Sequence, residues 1–438
     1  APLNNFPLGA AYLYQKVNDD WLLVEKITPS DSINTMGFGS SVFMNNDYMI
    51  ISANHGYNNS SGSVYIYHKE GENWSEIDVI EASGSPICDE FGCSVGITMN
   101  GDYVIVGARN DDENGESAGA AYLYKHEESQ WSQQVKLMAS DGNSLGWFGN
   151  SVFIKDDYVY ISSSGIDHSG SIYVYQNNED NWEYCTTLTS SYSSPDLSFG
   201  SPISISGDYL ITGSHTNYNG TVFTFSNNGS GWVEHQPIVP SDSFEYDHFG
   251  RSVSISGDFI VVGACDVPDV GMSASAYFFE REDENWIELN KLTINNWGAF
   301  GYSVSISGNN AIVGADLDYG VSNATGAAYL ISNNDTSMNQ HLVNYSFKDI
   351  HNYPNPFNPS TTITLSVSPS SAFATLEIYN IKGQKVKQLV STQLSAGQHS
   401  VVWHGDDESG KSVSSGVYYY KLLVNGESVA IKKCLLLK

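Results

Sequence analysis

Two short stretches of this 438-residue chain place oxygen-bearing side chains at alternate positions, as a loop does when it wraps a hard cation that needs about six to eight oxygens. In the first, Asn110, Asp112 and Asn114 alternate and Gly115 permits the turn; in the second the alternating pair is Asp316 and Asp318. The candidate ion is calcium, and the competing reading is an ordinary solvated polar turn. His55, His168 and His215 fall in comparable loops, but side chains carried on differently angled sheets do not converge on one zinc ion. Trp147 and Trp297 stand apart from the regular pattern of tryptophans. Exposed rings beside Asn and Gly can stack on a sugar, so these two are candidate ligand-binding residues, the alternative being loop packing. No nucleophile elbow is present, and paired acids such as Asp156 and Asp157 lie between strand-like runs, so no catalytic residue is assigned.

What positions these loops is a repeat. Phe-Gly pairs begin at Phe38, Phe91, Phe148, Phe199, Phe249 and Phe300, a period of 50 to 57 residues. Each pair opens a run in which Ser alternates with Val or Ile. A turn follows, as at Gly101-Asp102, Gly207-Asp208 and Gly257-Asp258, then a second apolar run that ends on a small residue. A third run such as "GSVYIY" or "GAAYLY" is apolar on both faces, as a strand covered on both sides must be. The fourth run carries a Trp seven residues after an aromatic of the third, as in Tyr67 to Trp74 and Phe279 to Trp286. Four strands per unit, repeated and packed face to face, predict an all-β fold: a six- or seven-bladed β-propeller over residues 1–331.

The two ends of that array are incomplete. Residues 9–27 supply only a third and fourth run, and the unit that starts at Phe300 lacks a Trp in its fourth place. The N-terminal hairpin is therefore expected to complete a blade, which would remove a free sheet edge. Because "GAAYLY" at 9–14 and "GAAYLI" at 326–331 compete for one place, a partial seventh blade or self-association through residues 9–27 are the alternatives.

Residues 332–352 read as a linker with one short strand in "HLVNYSF". From Tyr353 the composition changes: eight Lys stand against five acids, whereas the preceding residues hold 11 basic and 44 acidic side chains. Three prolines in "PNPFNP" fix an extended entry, and short strand-like runs follow, so 353–438 reads as a small Ig-like β-sandwich. The formal charge of −30 excludes nucleic acid and anionic lipid as partners. Cys88 and Cys93 are close enough in sequence to close a small loop. No apolar run reaches the length of a membrane span, and a chain that begins at Ala1 is expected to be a mature, exported protein.

The pattern "FGxSV", "GDYxIVGA", "GxAYLY" resembles the FG-GAP repeat of the integrin α-subunit propeller and of many bacterial secreted proteins. In that family the loop after the second strand can hold calcium, although the acid expected later in the loop is Ala118 here. The tail is similar to the C-terminal sorting domain of type IX secretion, related to the Ig-like domain of flagellar hook-capping proteins. The resemblance is carried by Pro354, Asn355, Pro356, Phe357, Asn358 and Pro359, by "IYNIKGQKV", by "GVYYYKL" and by the ending "IKKCLLLK". It implies handling by the type IX secretion machinery and an extracellular or outer-surface location on a Gram-negative bacterium.

The expectation is a secreted or cell-surface protein that binds a glycan or protein ligand without catalysis, with calcium as the one candidate cofactor. The alternatives are a structural subunit of an extracellular assembly and a hydrolase acting on extracellular polysaccharide, since a propeller can assemble a site from several blades.

Overall fold

The computed structural model describes residues 9–437 apart from 18–19, 31–36, 55–61, 72, 82–88, 128–129, 141–143, 166–169, 193–198, 215–219, 243–246, 266–273, 294–298, 316–326, 333–342, 347–349, 368–371, 395–396 and 425–426. Among these residues every regular element is a strand, and no helix is long and apolar enough to cross a membrane. Six four-stranded antiparallel meanders, blades one to six, occupy residues 38–81, 91–137, 148–188, 203–234, 249–293 and 300–346. They form a β-propeller, and an Ig-like domain follows.

Each blade is locked by its Phe-Gly pair. The Phe is buried at the start of the first strand and meets an aromatic of the third strand edge to face, with centroids 5.1 to 5.4 Å apart in all six copies. The Gly that follows has φ between +87° and +104° in all six, and in every blade but the fourth, whose first ladder begins only at Ile203, the pairing with the second strand slips there, so the pair forms a bulge that only glycine accommodates at no strain.

Neighbouring blades meet backbone to backbone. A Cβ on Gly62, Gly119, Gly170 or Gly220 would lie 1.9 to 2.2 Å from the carbonyl oxygen of the next blade's Phe, and one on Gly107, Gly213 or Gly263 would lie 1.8 to 1.9 Å from that of the next blade's bulge glycine. The alternating serines stitch the same seams. The backbone N–H groups of Ile203, Ile255 and Ile306 donate to Ser151, Ser204 and Ser254 of the preceding blade at 3.1 to 3.2 Å. The hydroxyls of Ser94 and Ser252 donate to the carbonyls of Gly149 and Gly301 at 2.8 Å. The thiol of Cys93 also donates to Gly149, at 3.4 Å; Cys88 lies outside the described residues.

The short strand expected in "HLVNYSF" is present as Val343–Ser346 and serves as the fourth strand of blade six, while His351–Tyr353, at the end of the stretch read as a linker, already belongs to the tail. The N-terminal hairpin, Ala11–Val17 with Asp20–Ile27, does not complete that blade. Its third-strand place is filled by Ala327–Ser332, so the hairpin stands as a separate two-stranded sheet. A Cβ on Gly9 would lie 2.0 Å from the carbonyl oxygen of Phe38, the same seam contact as elsewhere, which places the hairpin as the outer half of a seventh blade before blade one. Lys16 donates to Asn310 of blade six at 2.9 Å, and Asp20–Ile27 lies against Glu427–Leu436 of the tail.

The Ig-like domain packs a sheet of His351–Tyr353, Thr361–Val367 and Gly397–Trp403 against a second of Lys385–Leu394, Ala372–Asn380, Gly416–Val424 and Glu427–Leu436. Ile363, Leu376, Ile378, Trp403 and Leu422 are fully buried between them. The proline-rich entry is tied to the end of the chain. Asn355 Nδ2 donates to the Lys433 carbonyl, Leu435 N donates to Asn355 Oδ1 at 2.9 Å, and the buried Phe357 packs on Trp403 at 5.4 Å.

Seam glycines should be the least replaceable residues of the propeller. Gly263→Ala is expected to lower the unfolding free energy by about 1–3 kcal/mol, because its Cβ overlaps a backbone carbonyl. Gly257→Ala, whose Cβ enters open space, should lose only the left-handed backbone strain of about 1 kcal/mol; urea titrations of the two variants compare them directly.

Candidate ligand cleft

Of the ions and rings singled out in the sequence, those in 110–115 are well placed by the structure. Asp112 Oδ1 accepts from Ser117 N at 2.7 Å, and Asn114 Nδ2 donates to the Ala139 carbonyl at 2.8 Å, so both side chains shape the loop from within. The carboxylate that points inward is the one between them. Asp111 is fully buried, accepts from the Tyr122 hydroxyl at 2.7 Å and pairs with Lys136 at 2.7 Å, while the same ammonium reaches Glu113 at 2.6 Å. The chain's own cation thus sits among the loop's anionic oxygens.

Electrostatics agree with that geometry. Burial alone would lower the pKa of Lys136, but the hydrogen bonds its ammonium makes to Asp111, Glu113 and Tyr122 outweigh it and hold the group above its ordinary value. Burial and then Asp111 push the Tyr122 hydroxyl up to about 12. A second copy stands in blade five, where Asp242 accepts from Tyr277 at 2.9 Å and Lys291 at 2.7 Å. In both blades Tyr and Lys are direct cross-strand partners, with the ammonium over the ring at 5.3 and 4.8 Å. The sequence carries a signal for this: Lys26, Lys136 and Lys291 each follow a repeat Trp by five residues.

Trp147 is half-buried with φ +51°, under the guanidinium of Arg109 at 5.9 Å, and its N–H donates to the Ser117 carbonyl. Trp297, Asp316, Asp318, His55, His168 and His215 lie outside the described residues, among which no cluster of His, Cys, Asp and Glu has a metal-binding arrangement.

The recess with the chemistry of a ligand site is elsewhere, at the outer seam between blades one and two. Tyr48, His68, Ile77, His126 and Trp131 line a cleft of about 330 Å³, within the lower range of small-molecule sites. Register sets its walls. Tyr48 and His68 are cross-strand partners with centroids 4.9 Å apart, and His126 and Trp131 are partners stacked at 4.8 Å with planes 16° apart. Ile77 is exposed at its floor. Burial, followed by the charges of Asp102 and Asp47, raises the pKa of the Tyr48 hydroxyl, and Asp78 Oδ2 accepts from Trp131 N across the seam.

Other seams show why this one is open. The equivalents of Tyr48 and Trp131 touch edge to face in Tyr103–Trp182, at 5.5 Å, and Tyr209–Trp286, at 6.2 Å. There a salt bridge closes over the rings: Lys125 with Asp180, and Arg281 with Asp258 above Tyr209. At the first seam the places of Lys125 and Arg281 are taken by His68 and His126, and each imidazole lies on its own strand's aromatic partner instead of bridging. Single-sequence reading missed the cleft because each of its residues is unremarkable within its own repeat.

Removing the Lys136 ammonium tests the buried network. Lys136→Met should cost about 3–5 kcal/mol by leaving the Asp111 carboxylate unpaired, and Tyr122→Phe about 1 kcal/mol, both read from urea midpoints at unchanged slope.

The model of the FG-GAP repeat matches residues 21–67, 74–124, 131–175, 232–279 and 286–331, together more than half of the chain, and that of the FlgD Ig-like domain matches 355–427. None of the curated proteins matches the sequence. Solved structures match at low identity. PorZ, an essential surface component of the type-IX secretion system of Porphyromonas gingivalis, is 11% identical with a TM-score of 0.42, covering 95% of this chain and 62% of that one. A putative 6-phosphogluconolactonase of Bacteroides fragilis is 10% identical with a TM-score of 0.50, covering 75% and 88%. The periplasmic gluconolactonase PpgL of Pseudomonas aeruginosa is 12% identical with a TM-score of 0.42, covering 79% and 96%. This chain spans less than two thirds of the length of PorZ, and likenesses of this order concern fold alone. With its repeat matched in five segments that cover most of the propeller, the chain belongs to the FG-GAP repeat family.

Proposed function

We propose that this chain is a secreted or cell-surface binding protein that takes an uncharged oligosaccharide in the cleft between blades one and two and does not transform it. The observation that carries the reading is the pair of aromatic walls, Tyr48 tilted against His68 and Trp131 stacked on His126, facing one another across an open recess. Sugars present apolar C–H faces to aromatic rings and hydroxyls to carboxylates, and Asp47, Asp78 and Asp102 stand at or near these walls. A net charge of −30 disfavours an acidic glycan. The carboxylates of the buried Asp111 and the exposed Asp242 are engaged with Lys136 and Lys291, which suits a scaffold rather than an acid–base pair.

The tail serves export in this reading. Its proline-rich entry and its last strand, two of the four parts that resemble a type IX sorting domain, are bonded to each other through Asn355.

A glycan array on the whole chain should give hits among neutral oligosaccharides. Calorimetry on a hit should then show Trp131→Ala weakening binding about 5- to 10-fold, the loss of one stacked ring at about 1 kcal/mol. An empty array, or hits indifferent to Trp131→Ala and Tyr48→Ala, would count against the site. Export is tested separately. In a bacterium with a type IX system, removal of residues 353–438 should keep the propeller inside the cell, whereas the whole chain reaches the surface or medium.

A further inference from the structure

Two closed seams carry a cation of the chain's own in one arrangement. Between blades four and five, Arg281 is the cross-strand partner of Trp286 and donates through its backbone N–H to the Asp258 carbonyl at 2.8 Å. Its guanidinium lies 4.3 Å over the ring of Tyr209 from the preceding blade, donates to the Tyr209 hydroxyl at 2.8 Å and pairs with the Asp258 carboxylate. Between blades two and three, Lys125 is the cross-strand partner of Tyr103, holds its ammonium 5.9 Å over that ring and pairs with Asp180 at 2.6 Å. Each seam thus joins a tyrosine, a tryptophan, a cation and a carboxylate. The seam between blades three and four is packed differently, with Trp232 meeting Tyr160 at 5.8 Å, and is no template.

Between blades one and two every part but the cation is kept. Trp131 is the cross-strand partner of His126, whose backbone N–H donates to the Asp102 carbonyl at 2.8 Å, so His126 and Asp102 stand where Arg281 and Asp258 do. Tyr48 takes the place of Tyr209, and His68 is opposite it as Lys125 is opposite Tyr103. The carboxylate is at the ring. A Cβ on Gly101 would lie 2.2 Å from Tyr48 Cε2 and 2.8 Å from the Tyr48 hydroxyl, and the charges of Asp102 and Asp47 bear on that hydroxyl. Asn100 Nδ2 donates to Asp102 Oδ2, and among the described residues no Lys or Arg pairs with this carboxylate. The other groups do not make up the charge: the imidazoles lie against Tyr48 and Trp131, and Asp78 accepts from the backbone N–H groups of Val79 and Trp131.

We infer that this end of the cleft is a site for a small organic cation, a guanidinium or primary ammonium group seated over Tyr48 and paired with Asp102. The ligand supplies what the repeat supplies elsewhere. A planar guanidinium matches best, because ring, hydroxyl and carboxylate occupy the places that Arg281 engages between blades four and five. Ile77, exposed at the floor, suits a short alkyl chain behind the charged head. The net charge of −30 favours such a ligand. This adds a ligand class to the cleft and does not rest on the oligosaccharide reading, which needs the rings and no charge.

The probe is butylguanidinium, with butylurea as its uncharged counterpart of the same shape, titrated against the whole chain by ligand-observed NMR at low ionic strength. Butylguanidinium should bind saturably and release as sodium chloride screens the pair, and butylurea should bind about tenfold more weakly or not at all. Asp102→Asn should weaken butylguanidinium binding about tenfold, whereas Asp157→Asn, which removes the same charge from the corresponding turn of blade three, should leave it unchanged. His126→Arg rebuilds the arrangement of Arg281, so it should abolish binding and raise the melting temperature, which separates loss of the site from loss of the fold. A capped glycine peptide with one arginine distinguishes the sources of the cation: if it binds as butylguanidinium does, the site accepts a polypeptide's side chain, and if it does not bind, the site takes free cations alone. The inference fails if butylurea binds as well as butylguanidinium, if Asp102→Asn has no more effect than Asp157→Asn, or if His126→Arg retains binding. An empty glycan array would leave these three results untouched, so the two readings of the cleft stand or fall separately.

Discussion

The fold depends on adjacent blades touching through bare backbone. Side chains normally hold sheets about 10 Å apart, yet here the Gly before the third strand in blades one to four, and Gly107, Gly213 and Gly263 near the ends of second strands, come within contact of the next blade's Phe-Gly carbonyls. Everything that recurs in the sequence serves that approach. The bulge glycine turns the carbonyl toward the seam, the Phe before it is clamped on the third-strand aromatic, and the serines satisfy the N–H groups that the close-set first strands expose to one another. Apolar area then adds stability on the outer part of each seam, where Val and Ile of one blade meet those of the next.

Because the seam is a backbone contact, the blade was legible from one sequence. Period, turn chemistry and the positions of Phe, Gly, Tyr and Trp each translate into a steric requirement that few other residues meet. The tail was legible for a similar reason: three prolines and Asn355 fix the entry, and alternating apolar runs fill one core. What escaped was which copy of a variable element does what. A short strand in 341–347 was legible but its place was not: without the repeat's Trp, nothing in the sequence marks Val343–Ser346 as the fourth strand of blade six, where it pairs with Ala327–Ser332. Alternation in 110–114 picked the outward residues, since the loop's direction after Ala108 turns Asp111, not its neighbours, toward the buried Tyr122 and Lys136.

Function in a repeat fold lives in departures from the repeat. The seam between blades one and two keeps the Tyr and Trp of the other seams and loses the cation–carboxylate bridge that closes them, because His68 and His126 replace Lys125 and Arg281. His126 stacks on Trp131 and His68 lies tilted against Tyr48, each imidazole held within its own hairpin, and a recess is left between them. Two substitutions in otherwise standard positions thus turn a packing contact into a cleft. Neither is visible without knowing that the two residues stand on opposite walls.

A cleft made by a change of side chains retains its backbone walls, so it can discriminate ligands by shape without reorganising the ring. The walls themselves are held by the seams on either side: blade two is fixed to blade three through Gly107 and Gly119, and blade one meets the N-terminal hairpin through Gly9 at Phe38, while Lys16 ties that hairpin to Asn310 of blade six. The close backbone contacts that set the blades thus also set the distance between the two aromatic walls.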